Sequence, residues 1–89
     1  MSAKPARSDK MINVYLDIEF AQRGITQSDL QKVLGRSQGY VSERRSCKRS
    51  WTMRELDEIA PLVGLADSLA LVTVIMGLSM RHGEALYGA

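Results

Sequence analysis

With 89 residues the chain has room for one domain and a small core, and an apolar content of 45 % excludes a disordered polymer. Net charge is only +2, yet six bases and one acid fall between Arg36 and Arg54, so that stretch carries +5 and the remainder −3. A basic patch on an otherwise acidic small domain suits a polyanion such as nucleic acid, or is simply a solvated face; charge alone leaves both open.

Residues 1–8 read as a flexible arm: Lys4, Pro5 and Arg7 are there, with no apolar periodicity. Ser8 or Asp9 can cap a first helix, whose apolar positions Met11, Ile12, Tyr15, Leu16, Ile18 and Phe20 recur at helical spacing. Gly24 stands where a left-handed C-cap residue belongs. Thr26 caps a second, short helix, Gln27 to Leu34, with Asp29 returning the hydrogen bond and Leu30, Val33 and Leu34 facing inward. Gly35 ends it.

Ser37 caps a third helix from Gln38 to about Ser46, with Val41 as its core residue and Tyr40 beside it. Cys47 to Trp51 is basic, has weak helix signals and reads as a loop. Thr52 with Glu55 makes a second capping box, opening a helix with Met53, Leu56, Ile59, Ala60 and Val63 on one face. Pro61 ends or kinks that helix and Gly64 caps it. The segment Leu65 to His82 is apolar on nearly every side, with Asp67 as a start signal and Gly83 as a stop. Leu71 to Met76 is rich in β-branched residues and could be a strand, but length and caps favour a helix.

Several classes fall away. The longest apolar stretch, Leu65 to Met80, contains Asp67 and is too short for a bilayer span. Met1 to Lys10 has charge without a following apolar run, unlike a signal peptide. A cytoplasmic protein with no membrane partner is therefore expected. Cys47 is the single cysteine and His82 the single histidine, far apart in sequence, so neither a disulfide nor a metal site is expected. No nucleophile constellation and no glycine-rich phosphate loop appear, and Asp57 and Glu58 read as solvated charge on a helix face. No enzyme, no cofactor and no small-molecule ligand are expected.

Two short helices joined by a tight glycine-containing turn make a helix-turn-helix. Leu30 and Val41 must meet to fix the angle between them. The N-terminal end of the third helix then projects polar residues outward, where they can meet base edges in the major groove. At these residues the chain resembles a known family. Ile25 to Leu65, about 41 residues, is similar to the helix-turn-helix domain of phage repressors, Cro proteins and the broader Xre-type regulators. The likeness lies in the T-Q-x-x-L opening from Thr26, the Leu34–Gly35 turn, the Val41–Ser42 pair and the L-x-x-I-A close ending at Ala60. It departs at Arg44, where the family usually has an apolar residue, at Arg45, often Glu, and at Cys47, commonly Gly.

The resemblance implies an all-α, five-helix, lambda-repressor-like domain. It makes Gln27 a phosphate contact at a helix N-terminus and turns Gln38, Gly39, Ser42 and Glu43 toward the bases. From their chemistry, Gln38 can pair bidentately with adenine and Glu43 can accept from cytosine N4. Gly39 permits close approach. Arg36, Ser37, Arg45, Lys48 and Arg49 are placed to meet phosphates, which fix register without reading sequence. Trp51 reads as a core or rim aromatic.

The expected organisation is an arm over 1–8, the DNA-binding domain over 9–65 and an apolar helix over 66–83. One face of that helix, Leu69, Val72 and Met76, would close the core. The other, Leu71, Ile75 and Leu78, would be covered by a second copy, giving a homodimer on a palindromic double-stranded operator. The function implied is a sequence-specific DNA-binding transcriptional regulator, a repressor or Cro-like switch of a phage or prophage lysogeny circuit in a bacterial host cell. Alternatives are an antitoxin-type regulator whose C-terminal segment binds a toxin, and a protein-interaction module that has lost DNA. Arg44 is the sequence feature that favours the last.

Overall fold

A computed structural model describes residues 6–82, with side chains placed as far as Leu78. Five α-helices follow in order: α1 (Arg7–Arg23), α2 (Gln27–Leu34), α3 (Gln38–Arg45), α4 (Met53–Ile59) and α5 (Ser68–His82), with a 3-10 turn over Ala60–Val63. Among the described residues there is no strand. The fold is all-α, and α2, α3 and the turn between them form a helix-turn-helix. Among the described residues no single helix is long and apolar enough to cross a membrane.

Local signals account for the boundaries. Thr26 and Thr52 each accept the N–H three residues on, and Asp29 and Glu55 each return the bond, so both capping boxes are complete. Ser37 Oγ accepts from Tyr40 N at the start of α3. Gly35 ends α2 at φ 64°, a left-handed conformation that L side chains rarely adopt. Pro61 has no N–H to give the Asp57 carbonyl, and there the helix narrows to the 3-10 turn.

α1 begins earlier than the sequence suggests. Its N-cap is Ala6, which makes no side-chain cap bond, and Ser8 and Asp9 lie inside the first turn. The Asp9 carboxylate is engaged elsewhere, accepting from Ser50 Oγ at 2.8 Å. Of the expected arm, residues 1–5 lie outside the described residues, as does the stop at Gly83.

The core joins Leu16 and Phe20 of α1, Leu30 of α2, Val41 of α3, Leu56 and Ile59 of α4, and Leu71 and Ile75 of α5. Leu30 and Val41 are both fully buried in it, as the helix-turn-helix requires. Ile18, Val33 and Met53 do not join this core and are substantially exposed. Each lies off the stripe its helix turns inward: Leu16–Phe20, Leu30–Leu34 and Leu56–Ala60 respectively.

The expected faces of α5 are exchanged. Leu71 is fully buried, Ile75 is 3 % exposed, and Leu78 packs against the same cluster. Leu71 and Ile75 are covered by their own chain and leave no surface for a second copy, while Leu78 is half-buried. Leu69 and Met76 are instead 67 % and 56 % exposed, with half-buried Val72 between them. The phase of α5 is fixed from its start. Asp57 Oδ1 accepts from Ser68 N at 2.8 Å and Asp67 Oδ1 from Ala70 N at 2.9 Å. These bonds also give Leu71 to Met76 a helical start despite their β-branched content. Asp57 is therefore a helix anchor and not merely solvated charge. The bonds from Ser68 hold its carboxyl below the usual range.

Candidate nucleic-acid interface

The outward side of α3 is polar. Gln38, Gly39, Ser42 and Glu43 are all exposed, and a side chain at Gly39 would meet nothing within 4 Å. The four positions lie on adjacent turns of one short helix, whose opposite side buries Val41. Arg36 and Ser37 are exposed just before it, and Lys48 and Arg49 just after it. The basic residues thus bracket a surface of hydrogen-bonding groups.

Gln27 and Arg45 are not separate points on that surface. Arg45 Nη1 donates to Gln27 Oε1 at 2.8 Å and Nη2 to Asp17 Oδ1 at 3.2 Å, while Gln27 Nε2 donates to the Gln38 carbonyl at 3.3 Å. Arg45 also stands 5.6 Å from the Phe20 ring centroid. One guanidinium ties the end of α3 to α1 and to the first turn of α2, and its charge is partly matched by Asp17. That fixes the angle at which α3 is presented.

Arg44 has a structural role of its own. Its guanidinium stands 3.5 Å from the Tyr40 ring centroid, and Arg36 stands over the same ring at 4.7 Å. Glu55 accepts a hydrogen bond from the Tyr40 hydroxyl and lies 3.8 Å from Arg44 Nε. At that distance the contact is an ion pair without a hydrogen bond, and Nε makes none. Burial pushes the Glu55 carboxyl up, but the Thr52 N–H, the Tyr40 hydroxyl and Arg44 outweigh it and hold it below the usual range. The bond to Glu55 in turn raises the Tyr40 hydroxyl. A position expected to be apolar is filled by a stacked, charge-matched arginine that joins α3 to α4.

The loop after α3 begins with a defined backbone motif. Cys47 N bonds the Arg44 carbonyl and Lys48 N the Glu43 carbonyl, while Cys47 adopts φ 66°. This is a Schellman ending with a cysteine in the left-handed position that glycine favours. Asn13, absent from the sequence-based site, meets this loop from α1 and is buried at 5 % exposure. Its signal was available: Asn13 interrupts the stripe that runs on to Leu16 and Phe20, where a buried amide needs partners.

Among the described residues no group of three or more His, Cys, Asp or Glu side chains could hold a metal ion. A polar recess of about 390 Å³ lies between α2, α3 and α4, with Arg36 and Arg54 beside Glu55 and Glu58. An apolar groove of about 460 Å³ lies between α1, α4 and α5, with Trp51, Met53 and Met76 on its walls. Comparison with known proteins found no matching family model, no matching curated protein and no matching solved structure.

Proposed function

We propose that the chain is a sequence-specific regulator that binds double-stranded DNA through α3. The observation that carries this reading is the exposed set Gln38, Gly39, Ser42 and Glu43 on the second helix of a helix-turn-helix, bracketed by Arg36, Lys48 and Arg49. Gln38 reads adenine, Glu43 accepts from cytosine, and Ser42 donates to or accepts from a neighbouring base edge. Arg36, Ser37, Lys48 and Arg49 hold phosphates. Arg45 and Gln27 serve chiefly to set the angle of α3, with any phosphate contact made by their remaining donors. The likeness to phage repressors and Cro proteins supports a repressor-type switch acting in the cytoplasm of a bacterial host. Selection of bound duplexes from a random pool is the test. A recurrent site supports the reading, and recovery of no preferred sequence contradicts it.

A second copy of the chain is part of the same proposal, now on the opposite face of α5 from that expected. Leu69, Val72 and Met76 form an exposed or half-exposed stripe without a charge, beside the groove walled by Met53. A stripe of this kind is self-complementary across a two-fold axis, and a two-fold pair presents two α3 helices to a palindromic site. The same stripe favours, as second reading, an antitoxin-type regulator that offers this face to a different protein.

A further inference from the structure

Asn13 carries the only buried side-chain amide among the described residues. Its Nδ2 lies 2.9 Å from the Arg44 carbonyl, 3.1 Å from the Asp9 carbonyl and 3.3 Å from Cys47 Sγ, while Oδ1 accepts from Trp51 Nε1 at 3.0 Å. Two hydrogens serve three acceptors, of which the sulfur is the weakest. One carboxamide thus grips both ends of the loop that runs from Cys47 to Trp51. One turn back on α1, Asp9 accepts from Ser50 Oγ within the same loop. Between these grips stand Lys48 and Arg49, both exposed.

The loop's own bonds do not supply this anchorage. Lys48 N and Arg49 N both reach the Glu43 carbonyl, at 2.9 and 3.2 Å, which shapes the bend after α3 without relating it to the rest of the domain. An apolar side chain in place of Asn13 would fill the same space but strand the Trp51 N–H and leave the Arg44 carbonyl to the backbone N–H groups of its own turn.

We propose that Asn13 is a positioning residue for DNA binding: by holding both ends of the Cys47–Trp51 loop, it sets where Lys48 and Arg49 meet the phosphate backbone. This rests on the DNA-binding reading above. Asn13→Asp keeps the shape and the acceptor for Trp51 but turns an oxygen toward the Arg44 and Asp9 carbonyls. Val63→Ala, a core truncation away from the loop, is the control for lost stability, with both variants studied where circular dichroism shows them folded.

In Asn13→Asp, affinity should fall about tenfold on selected and random duplexes alike, and the salt slope should lose roughly one to two units. Hydrogen-exchange protection of the Lys48 and Arg49 amides should fall about tenfold, because their bonds open locally. Val63→Ala should leave the slope and the relative protection of these amides unchanged. A folded Asn13→Asp with wild-type slope and protection would overturn the proposal. Should Asn13→Asp not fold, Trp51→Phe decides: it removes one bond and should loosen the same amides in part, and unchanged protection overturns the proposal. If the wild type binds no duplex, the DNA reading fails on that result, while the exchange experiment separately reports whether Asn13 holds the loop.

Discussion

The Arg44 guanidinium stands over the ring of Tyr40, 3.5 Å from its centroid, and the hydroxyl of that tyrosine is bonded to Glu55. The stack joins α3 to α4 through a cation where a hydrophobic contact would ordinarily serve. Arg44→Ala should cost about 1–2 kcal/mol, from loss of the cation–π contact and of Glu55's counter-ion. Arg44→Lys should recover little, since an ammonium cannot reproduce a planar stack. Urea unfolding measures both; a lysine variant as stable as wild type would remove the stack from the explanation.

Acid should weaken the same junction and two helix starts besides. Glu55, Asp29 and Asp57 all have folded-state pKa values below their ordinary ones, held down by bonds from Thr52 and Tyr40, Thr26, and Ser68 respectively. A depressed carboxyl stabilises the fold fully above its unfolded pKa, about 4 for these groups. That stability is lost as pH falls through the lower folded value. Melting temperature should therefore fall as pH drops below about 4, chiefly through Glu55, the most buried of the three. Glu55→Gln should be less stable at neutral pH and show a shallower acid decline, which thermal scans from neutral to acid pH can follow.

Base reading and phosphate contact separate by mutation. Gln38→Ala should cost about 1–3 kcal/mol at one base pair and relax preference there. Lys48→Ala and Arg49→Ala should each weaken binding to all sequences alike and flatten the salt slope by roughly one unit. Site selection repeated with each variant distinguishes them. An unchanged profile for Gln38→Ala, or a changed base preference for Lys48→Ala, would reverse the assignment.

The two faces of α5 predict different failures. Met76→Lys and Leu69→Lys should leave a folded monomer, seen as a halved mass in sedimentation equilibrium at micromolar concentration, because both residues are exposed. Leu71→Ala should instead cost about 2–5 kcal/mol of folding stability, as a fully buried leucine does. A wild-type chain that sediments as a monomer would end the proposed dimer.

The elements were legible where a local signal sets them. The capping residues Thr26, Ser37 and Thr52 and the glycines at 24, 35 and 64 mark boundaries through bonds and dihedral angles that involve near neighbours only. What stayed hidden depends on contacts distant in sequence. The rotation of α5 is set by Asp57 on another helix, and an apolar segment carries no internal record of which side faces the core. Arg44 looked like a break in the pattern because its partners, Tyr40 and Glu55, come together only in the fold. Asn13 acquires its role from residues more than thirty positions away. In the candidate interface, the outward positions on α3 came from the resemblance to a helix-turn-helix, and the structure leaves all four exposed. The Asp17–Arg45–Gln27 link that aims the helix did not, since it spans three elements.

Sequence-specific DNA binding is tested most directly by titrating the wild-type chain against its selected duplex and a scrambled duplex between 50 and 200 mM salt, a range over which phosphate contacts weaken markedly. The selected duplex should bind on the order of a thousandfold tighter or more, with affinity for both falling steeply as salt rises. Equal affinity for the two duplexes, or binding indifferent to salt, would contradict a DNA-reading function for α3.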